Sequence, residues 1–270
     1  MGDAKRIEIK PISHKDADKI VAALHYSGKA ANPNSLLHLG VFLDGRCGGA
    51  LQFGPPLDKS KLIGLVRNTG WHEFLELNRL AFADWLPRNS ESRALAYCFR
   101  LFRKNYPHIK WVVSFADATQ CGDGTIYRAA GFLLTAIKKN TQVWTSPEGG
   151  SAKRTSLTDN HSPGPKAKAQ QIVHRVTLTK ERHARAGDGS ASMKQYKEAG
   201  FTPLPGFQLR YLYFLDPTAK DRLTVPILPF SAIEAAGAGM YKGKSRVSSV
   251  ASDTPANHAG EGSATLTGTL

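Results

Sequence analysis

Cysteine is scarce: Cys47, Cys98 and Cys121 are the only three in 270 residues. Their odd number and wide spacing exclude a disulfide framework and a paired-cysteine metal motif, and they read as small buried hydrophobes. Long apolar runs are missing as well. No stretch approaches the roughly 18 uninterrupted apolar residues of a membrane span, and the opening MGDAKRIEIK passes straight into an alternating pattern without an apolar signal region. The chain is therefore expected to work in the cytoplasm, with no membrane contact. Acidic residues are few beside basic ones, 22 against 36, which leaves a net charge of +14. Without a membrane segment, that excess points to a polyanion as partner. Residues 1–145 carry +8 and the remainder +6, so the charge is not a basic tail and both halves can approach phosphate.

What is present suffices for a packed core: 41% of the residues are hydrophobic, enough for one large or two small domains at roughly 100–200 residues each. Residues 7–12 alternate like a strand, and Ser13 caps a helix over residues 14–24. Two apolar runs, 37–43 and 47–53, flank Asp44-Gly45, a hairpin signal. Residues 74–83 read as a strand interrupted by Asn78 and Arg79. Ser90 begins an amphipathic helix to about Lys104 that turns Ala94, Leu95, Cys98, Leu101 and Phe102 inward. The continuously apolar run 111–116 reads as a buried central strand with Asp117 at its exit. A short helix, 126–130, stops at Gly131 before a strand over 132–137. Residues 146–170 are rich in Ser, Pro, Gly and Lys and read as a flexible basic loop. A strand over 172–178, a helix over 193–199 and a strand over 207–215 follow, then an extended or edge segment over 223–233 marked by Pro226 and Pro229. The pattern Tyr-x-x-Ala-Gly-Phe occurs at Tyr127 and again at Tyr196, each reading as a helix end, a left-handed glycine and a strand start. The fold class is α/β.

A strand ending in a polar residue, a loop and then Tyr-x-x-x-Gly-Phe resembles the late signature of the GCN5-related N-acetyltransferase superfamily. His25-Tyr26-Ser27-Gly28, FLELNRLAFADWLPRNSESRA, VVSFADATQCGDGTIYRAAGF and LPFSAIEAAGAGMYKG together resemble the phage Mom family of DNA modification proteins, nearly over the whole chain apart from 146–170 and the tail. The resemblance implies an acetyltransferase-like mixed central sheet flanked by helices, with a C-terminal strand extension. The chain is thus expected to divide into an acetyltransferase-like catalytic core over 1–145, the loop 146–170, a part over 171–246 that completes the sheet, and a tail over 247–270 whose small, polar residues read as disordered. The resemblance also implies conversion of adenine in double-stranded DNA to an N6-carbamoylmethyl derivative that protects phage DNA from restriction, in a bacterial host cell.

The N6 amine of adenine is a poor nucleophile, so an enzyme must position it, accept a proton and stabilise the developing charge. Asp117, where open α/β sheets place ligands, suits orienting or deprotonating the amine, or else begins an Asx turn. Tyr127 stands where many acetyltransferases keep a tyrosine that protonates the leaving group; a buried core tyrosine is the alternative. Ser114 shares a face with Ala116 and not with Asp117 on a regular strand. Arg79, a charge inside an apolar strand, needs a partner or a phosphate. His25 and Tyr26 suit a base and a stacking ring beside a flipped nucleotide, or simply a helix terminus. Extrusion of the base calls for an aromatic wall, for which Trp85, Tyr26 and Phe53 are candidates.

For the donor, the superfamily's phosphate-binding turn corresponds to Arg88-Asn89-Ser90-Glu91-Ser92-Arg93-Ala94. Asn78, Arg88, Ser90, Ser92 and Arg93 are the cofactor-binding candidates. Glu91 stands where a glycine is expected, so both acyl-CoA and an aminoacyl-tRNA remain open as donor. Iron is a further possibility through His25, Tyr26 and Asp117. Arg100, Arg103 and Lys104 on the basic helix face are candidates for DNA phosphates, or for a merely solvated face. An acyltransferase acting on a protein or small amine, and a non-catalytic DNA-binding protein, are the competing function classes.

Overall fold

Strand β1 (Glu8–Pro11) leads to Ser13, whose hydroxyl oxygen accepts the Asp16 N–H at 3.1 Å and so caps helix α1 (His14–Leu24). The hairpin of β2 (Leu37–Leu43) and β3 (Arg46–Gly54) turns at Asp44 and Gly45, both at positive φ, as I′-type chemistry requires. After helix α2 (Lys59–Leu62), β4 (Phe74–Phe82) continues as one strand through Asn78 and Arg79, and the expected interruption takes the form of a bulge: its register with β3 passes from Arg79 opposite Gln52 to Leu77 opposite Phe53 and skips Asn78. Both polar residues are satisfied locally: the Asn78 side-chain oxygen accepts the Ser35 hydroxyl at 2.9 Å, and the Arg79 guanidinium donates to the Asn78 carbonyl at 2.6 Å.

Helix α3 (Ser90–Asn105) buries Ala94, Leu95, Cys98, Phe99 and Phe102, and Leu101 packs half-buried against the same core. Strand β5 (Trp111–Ala118), helix α4 (Thr125–Ala129), β6 (Leu133–Lys139), β7 (Val143–Thr145), β8 (Ser151–Lys153), β9 (Thr202–Pro203) and β10 (Phe207–Phe214) follow. The computed structural model describes residues 3–28, 35–147, 151–153 and 193–245. Most of the loop expected over 146–170, the strand expected over 172–178 and the tail from 247 lie outside the described residues.

The main sheet has seven strands in the order β1-β2-β3-β4-β5-β10-β6, and every neighbouring pair is antiparallel except β4 and β5. This is the mixed central sheet flanked by helices that the resemblance implies. The C-terminal strand is no extension, however: β10 inserts between β5 and β6. Its edges pair with β5 and β6, and its fully buried Leu209 and Tyr211 face one covering layer while Leu212 faces the other. The 223–233 segment contributes no named strand, only an isolated bridge from Leu223 to Val66, and its end is the helix Ser231–Ala235. Both Tyr-x-x-Ala-Gly-Phe copies form the same cap. Gly131 and Gly200 lie at φ of 83° and 85°, and the Phe132 and Phe201 N–H groups donate back to the Tyr127 and Tyr196 carbonyls.

One side of the sheet packs on α3 and α4 around Leu51, Phe53, Leu95, Phe102, Phe132 and Tyr211. On the other, Val21 of α1 meets Ala50 and Ala81, and Leu65, Val66 and Ala219 cover Trp111, Val113 and Leu212.

Gly206 sets how β10 meets β5. It lies at φ of 131°, and a Cβ there would stand 2.5 Å from the Ala118 carbonyl oxygen. Gly206→Ala is expected to lower stability by about 2 kcal/mol or more, read as a reduced melting temperature, whereas Gly64→Ala, into open space, should change it by less than about 0.5 kcal/mol. Equal melting temperatures for the two variants would contradict this reading.

Candidate active site

β4 and β5 pair at three positions only, Phe74–Glu76 against Trp111–Val113, and then part while both strands continue. The candidate residues gather about this opening. Asp117 lies within β5, not beyond it, directly across from Gln208 of β10. Its Oδ1 accepts the Gln208 side-chain N–H at 2.8 Å, the Thr119 amide at 3.0 Å and the Thr119 hydroxyl, and its Oδ2 accepts the Tyr26 hydroxyl at 3.1 Å. The Thr119 bonds form an Asx turn. Groups from β5, β10 and the end of α1 thus hold one carboxylate.

Tyr26 follows the last turn of α1, where the His25 N–H still reaches the Val21 carbonyl. The Tyr26 ring leans on His25 at 4.3 Å and is 46% exposed, while its hydroxyl turns inward. Burial of that hydroxyl, then the Asp117 charge and hydrogen bond, push the phenol well above its ordinary range, so it stays a proton donor to Asp117. The His25 Nδ1 accepts the Ser27 amide at 3.2 Å and touches its hydroxyl at 2.8 Å, so a neutral ring carries its proton on Nε2. As a base, His25 would have to act through a nitrogen already occupied.

Tyr127 approaches from the α3 side, between Phe132 and Tyr211 at 5.3 and 5.2 Å. Burial pushes its phenol up to about 12, against the pull of a hydrogen bond with Ser114. Ser114 is fully buried, with its hydroxyl toward the Leu77 carbonyl. Asp117 and Tyr127 share no hydrogen bond and come from opposite sides of the sheet; Tyr26 lies close enough to both for ionisation of either to hold its phenol up. Arg79 lies deep enough for burial to lower its pKa, and Tyr26, Glu76, Tyr127 and Asp18 oppose that shift. Its surroundings tie it to the two phenols.

The donor candidates are mostly engaged. Ser90 is buried, with its hydroxyl on the Pro87 carbonyl at 2.6 Å, the Ser92 hydroxyl reaches the Asn89 carbonyl at 3.2 Å, and Arg93 reaches the Lys5 carbonyl at 3.4 Å. Asn78 is bonded to Ser35, while Arg88 is exposed. Lys242 pairs with Asp84 at 3.1 Å, close enough to Glu91 to feel its charge. On α3, Arg100 and Lys104 are exposed, but Arg103 fastens the helix to β10 through the Leu215 carbonyl at 3.0 Å and the Tyr213 hydroxyl at 2.9 Å. Phe53 is sealed against Phe102 and cannot stack on a base. Trp85 carries Arg46 on its ring at 4.3 Å. Among the described residues no group of three or more His, Cys, Asp or Glu is placed to hold a metal ion, and no helix is long and apolar enough to cross a membrane.

Sequence reasoning missed Gln208 and Phe115. The signal for Gln208 was a Gln and an Arg at alternate positions of the otherwise apolar run 207–214.

The family model of the Mom protein family matches residues 6–232. The methylcarbamoylase mom of Escherichia phage Mu is 41% identical over 139 residues, 51% of this chain and 57% of that protein. The chain thus aligns with little more than half the length of that relative. Among solved structures, a tandem GNAT protein from the clavulanic acid biosynthesis pathway superposes at a TM-score of 0.44 with 11% identity, over 78% of this chain and 99% of that one. An IAA acetyltransferase from Bacillus cereus ATCC 14579 superposes at 0.39 with 9% identity, over 77% and 99%.

The raised Tyr127 phenol has a consequence for stability. The unfolded chain releases this proton near the ordinary value of about 10, whereas the folded chain holds it to about 12. Its contribution is complete below pH 10 and is lost as pH rises from 10 toward 12. Tyr127→Phe should therefore lose melting temperature less steeply than the wild type across that window; parallel curves would show an ordinary phenol.

Proposed function

This chain belongs to the Mom protein family, and from that membership we propose that it is a transferase that modifies double-stranded DNA. It places a small acyl-derived group, of the carbamoylmethyl or glycyl type, on the N6 amine of adenine and so shields phage DNA from restriction. The relative from phage Mu carries the name methylcarbamoylase, and a net charge of +14 suits a duplex as substrate.

The observation that carries the proposal is the Asp117 carboxylate, fixed by Tyr26, Thr119 and Gln208 where β4 and β5 part. In the proposed step the adenine N6 bonds to the activated carbon of the donor while the bond from that carbon to the leaving group breaks. The N6 proton passes to Asp117, and the departing atom takes a proton from Tyr127, which is reprotonated from solvent before the next turnover. Ser114 orients the Tyr127 hydroxyl, and Arg79 steadies the phenolate formed in between. Exposed Arg88, Arg100 and Lys104 meet phosphates.

The donor is an acyl-CoA or an aminoacyl-tRNA. The turn at 88–94 fits a pyrophosphate poorly, because Ser90, Ser92 and Arg93 are spent on neighbouring carbonyls and Glu91 and Asp84 bring negative charge. A phenol near 12 also matches an alkoxide leaving group better than a thiolate, whose thiol titrates near about 8.5. Both points favour the ester-linked donor.

Mass spectrometry of nucleosides from DNA co-expressed with the chain tests the proposal. A mass increase on deoxyadenosine is expected, reduced by about 100-fold or more in Asp117→Asn and in Tyr127→Phe. Unmodified deoxyadenosine with the wild type overturns it.

A further inference from the structure

The layer covering the α1 side of the sheet comes in two pieces. α1 lies over β2, β3 and β4, and Leu65, Val66 and Ala219 lie over Trp111, Val113 and Leu212. Between the two pieces, the ends of β5 and β10 carry Phe115, Asp117, Gln208 and Arg210, paired across the strands as Phe115 with Arg210 and Asp117 with Gln208. Phe115 is 41% exposed, although its strand is interior and its neighbours Ser114 and Ala116 are at 0% and 6%. A lone exposed phenyl means little by itself. Here it stands on the same face as a fixed carboxylate two residues along, about 6–7 Å at roughly 3.3 Å per residue, a distance that a purine spans.

We infer that Phe115 is the stacking floor for an extrahelical purine whose Watson–Crick edge is read by Asp117 and Gln208. The inference rests on the DNA-modifying reading and names the residues that bind its base. Asp117 offers an acceptor and Gln208 an amide donor, side by side and already joined at 2.8 Å. Adenine presents the complement, an N6–H donor beside the N1 acceptor. Guanine presents the reverse, an O6 acceptor beside an N1–H donor, and leaves two acceptors and two donors facing each other. Arg210 is tied to Thr135 at 3.0 and 3.2 Å, so its guanidinium is engaged across the sheet and leaves the Asp117–Gln208 pair to the base. Tyr26, half-exposed and bonded to Asp117, forms the wall at the α1 end. In a paired duplex the Watson–Crick edge of adenine is taken by its partner base, so only a flipped base can offer that edge to Asp117 and Gln208.

Fluorescence anisotropy with the full chain tests this on three duplexes: one fully paired, one with adenine opposite an abasic site, and one with guanine there. The wild type should prefer the unpaired adenine to the paired duplex, and Phe115→Ala should lose about 10-fold of that preference while binding the paired duplex as before. Phe115→Trp should keep it, and the melting temperatures of both variants report their folding. Gln208→Leu should lose the preference for adenine over guanine. Phe115→Ala binding unpaired adenine as the wild type does overturns the stacking floor, and equal wild-type affinity for adenine and guanine overturns the edge reading. If a Phe115-dependent preference is present while deoxyadenosine stays unmodified in cells, the transferase reading falls and the purine site stands. If modification proceeds and Phe115→Ala behaves as wild type in binding, the site alone falls.

Discussion

The parting of β4 and β5 is the constraint on which the site depends. A parallel pair that separates after three positions exposes backbone groups that a continuous sheet would have paired, and such groups must find partners elsewhere. Around this opening stand polar side chains that a closed sheet would not tolerate: Asn78 and Arg79 on β4, Ser114 and Asp117 on β5. Arg79 turns back to a strand carbonyl, and Ser114 reaches toward Leu77 across the gap. The two phenols enter from opposite sides of the sheet, Tyr26 beside Asp117 and Tyr127 beside Tyr211.

The loop between Asp117 and Tyr127 is fixed by a second carboxylate. Asp123 is fully buried; its side chain accepts the Thr125 hydroxyl, the Arg128 guanidinium and the Met240 amide, and its carbonyl accepts the Tyr211 hydroxyl. A buried charge satisfied on this scale is costly to break when one partner is removed. Tyr211 sits on β10 opposite Ser114, so the strand that brings Gln208 to Asp117 also anchors the loop that delivers Tyr127. The Met240–Tyr241 strand closes over the same loop, with the Gly243 N–H on the Cys121 carbonyl.

Locally encoded features were legible in the sequence. Ser13 and α1, the Asp44-Gly45 hairpin and the start of α3 at Ser90 follow from capping and turn chemistry within a few residues. Arg79 could be singled out as a charge inside an apolar strand and Asp117 by its place at the end of one, while Tyr26 and Tyr127 stood out through the motifs that carry the family resemblance. What depends on distant pairing was not legible. The insertion of β10 beside β5 joins residues some ninety positions apart, and although Asn78 and Arg79 marked a bulge, Ser35 and the phenols that accommodate them lie elsewhere in the chain. Phe53 and Phe115 read alike, each in an apolar strand. Only the gap between the two covering pieces separates the sealed ring from the open one.

The account holds that a base is received where β4 and β5 part, on the face bearing Asp117. Amide hydrogen exchange of the full chain, with and without a DNA duplex containing adenine, tests that claim most directly. Slowed exchange should concentrate in residues 25–28, 114–121 and 207–210. Slowing confined to the exposed face of α3 around Arg100 and Lys104, with those three segments unchanged, would contradict it.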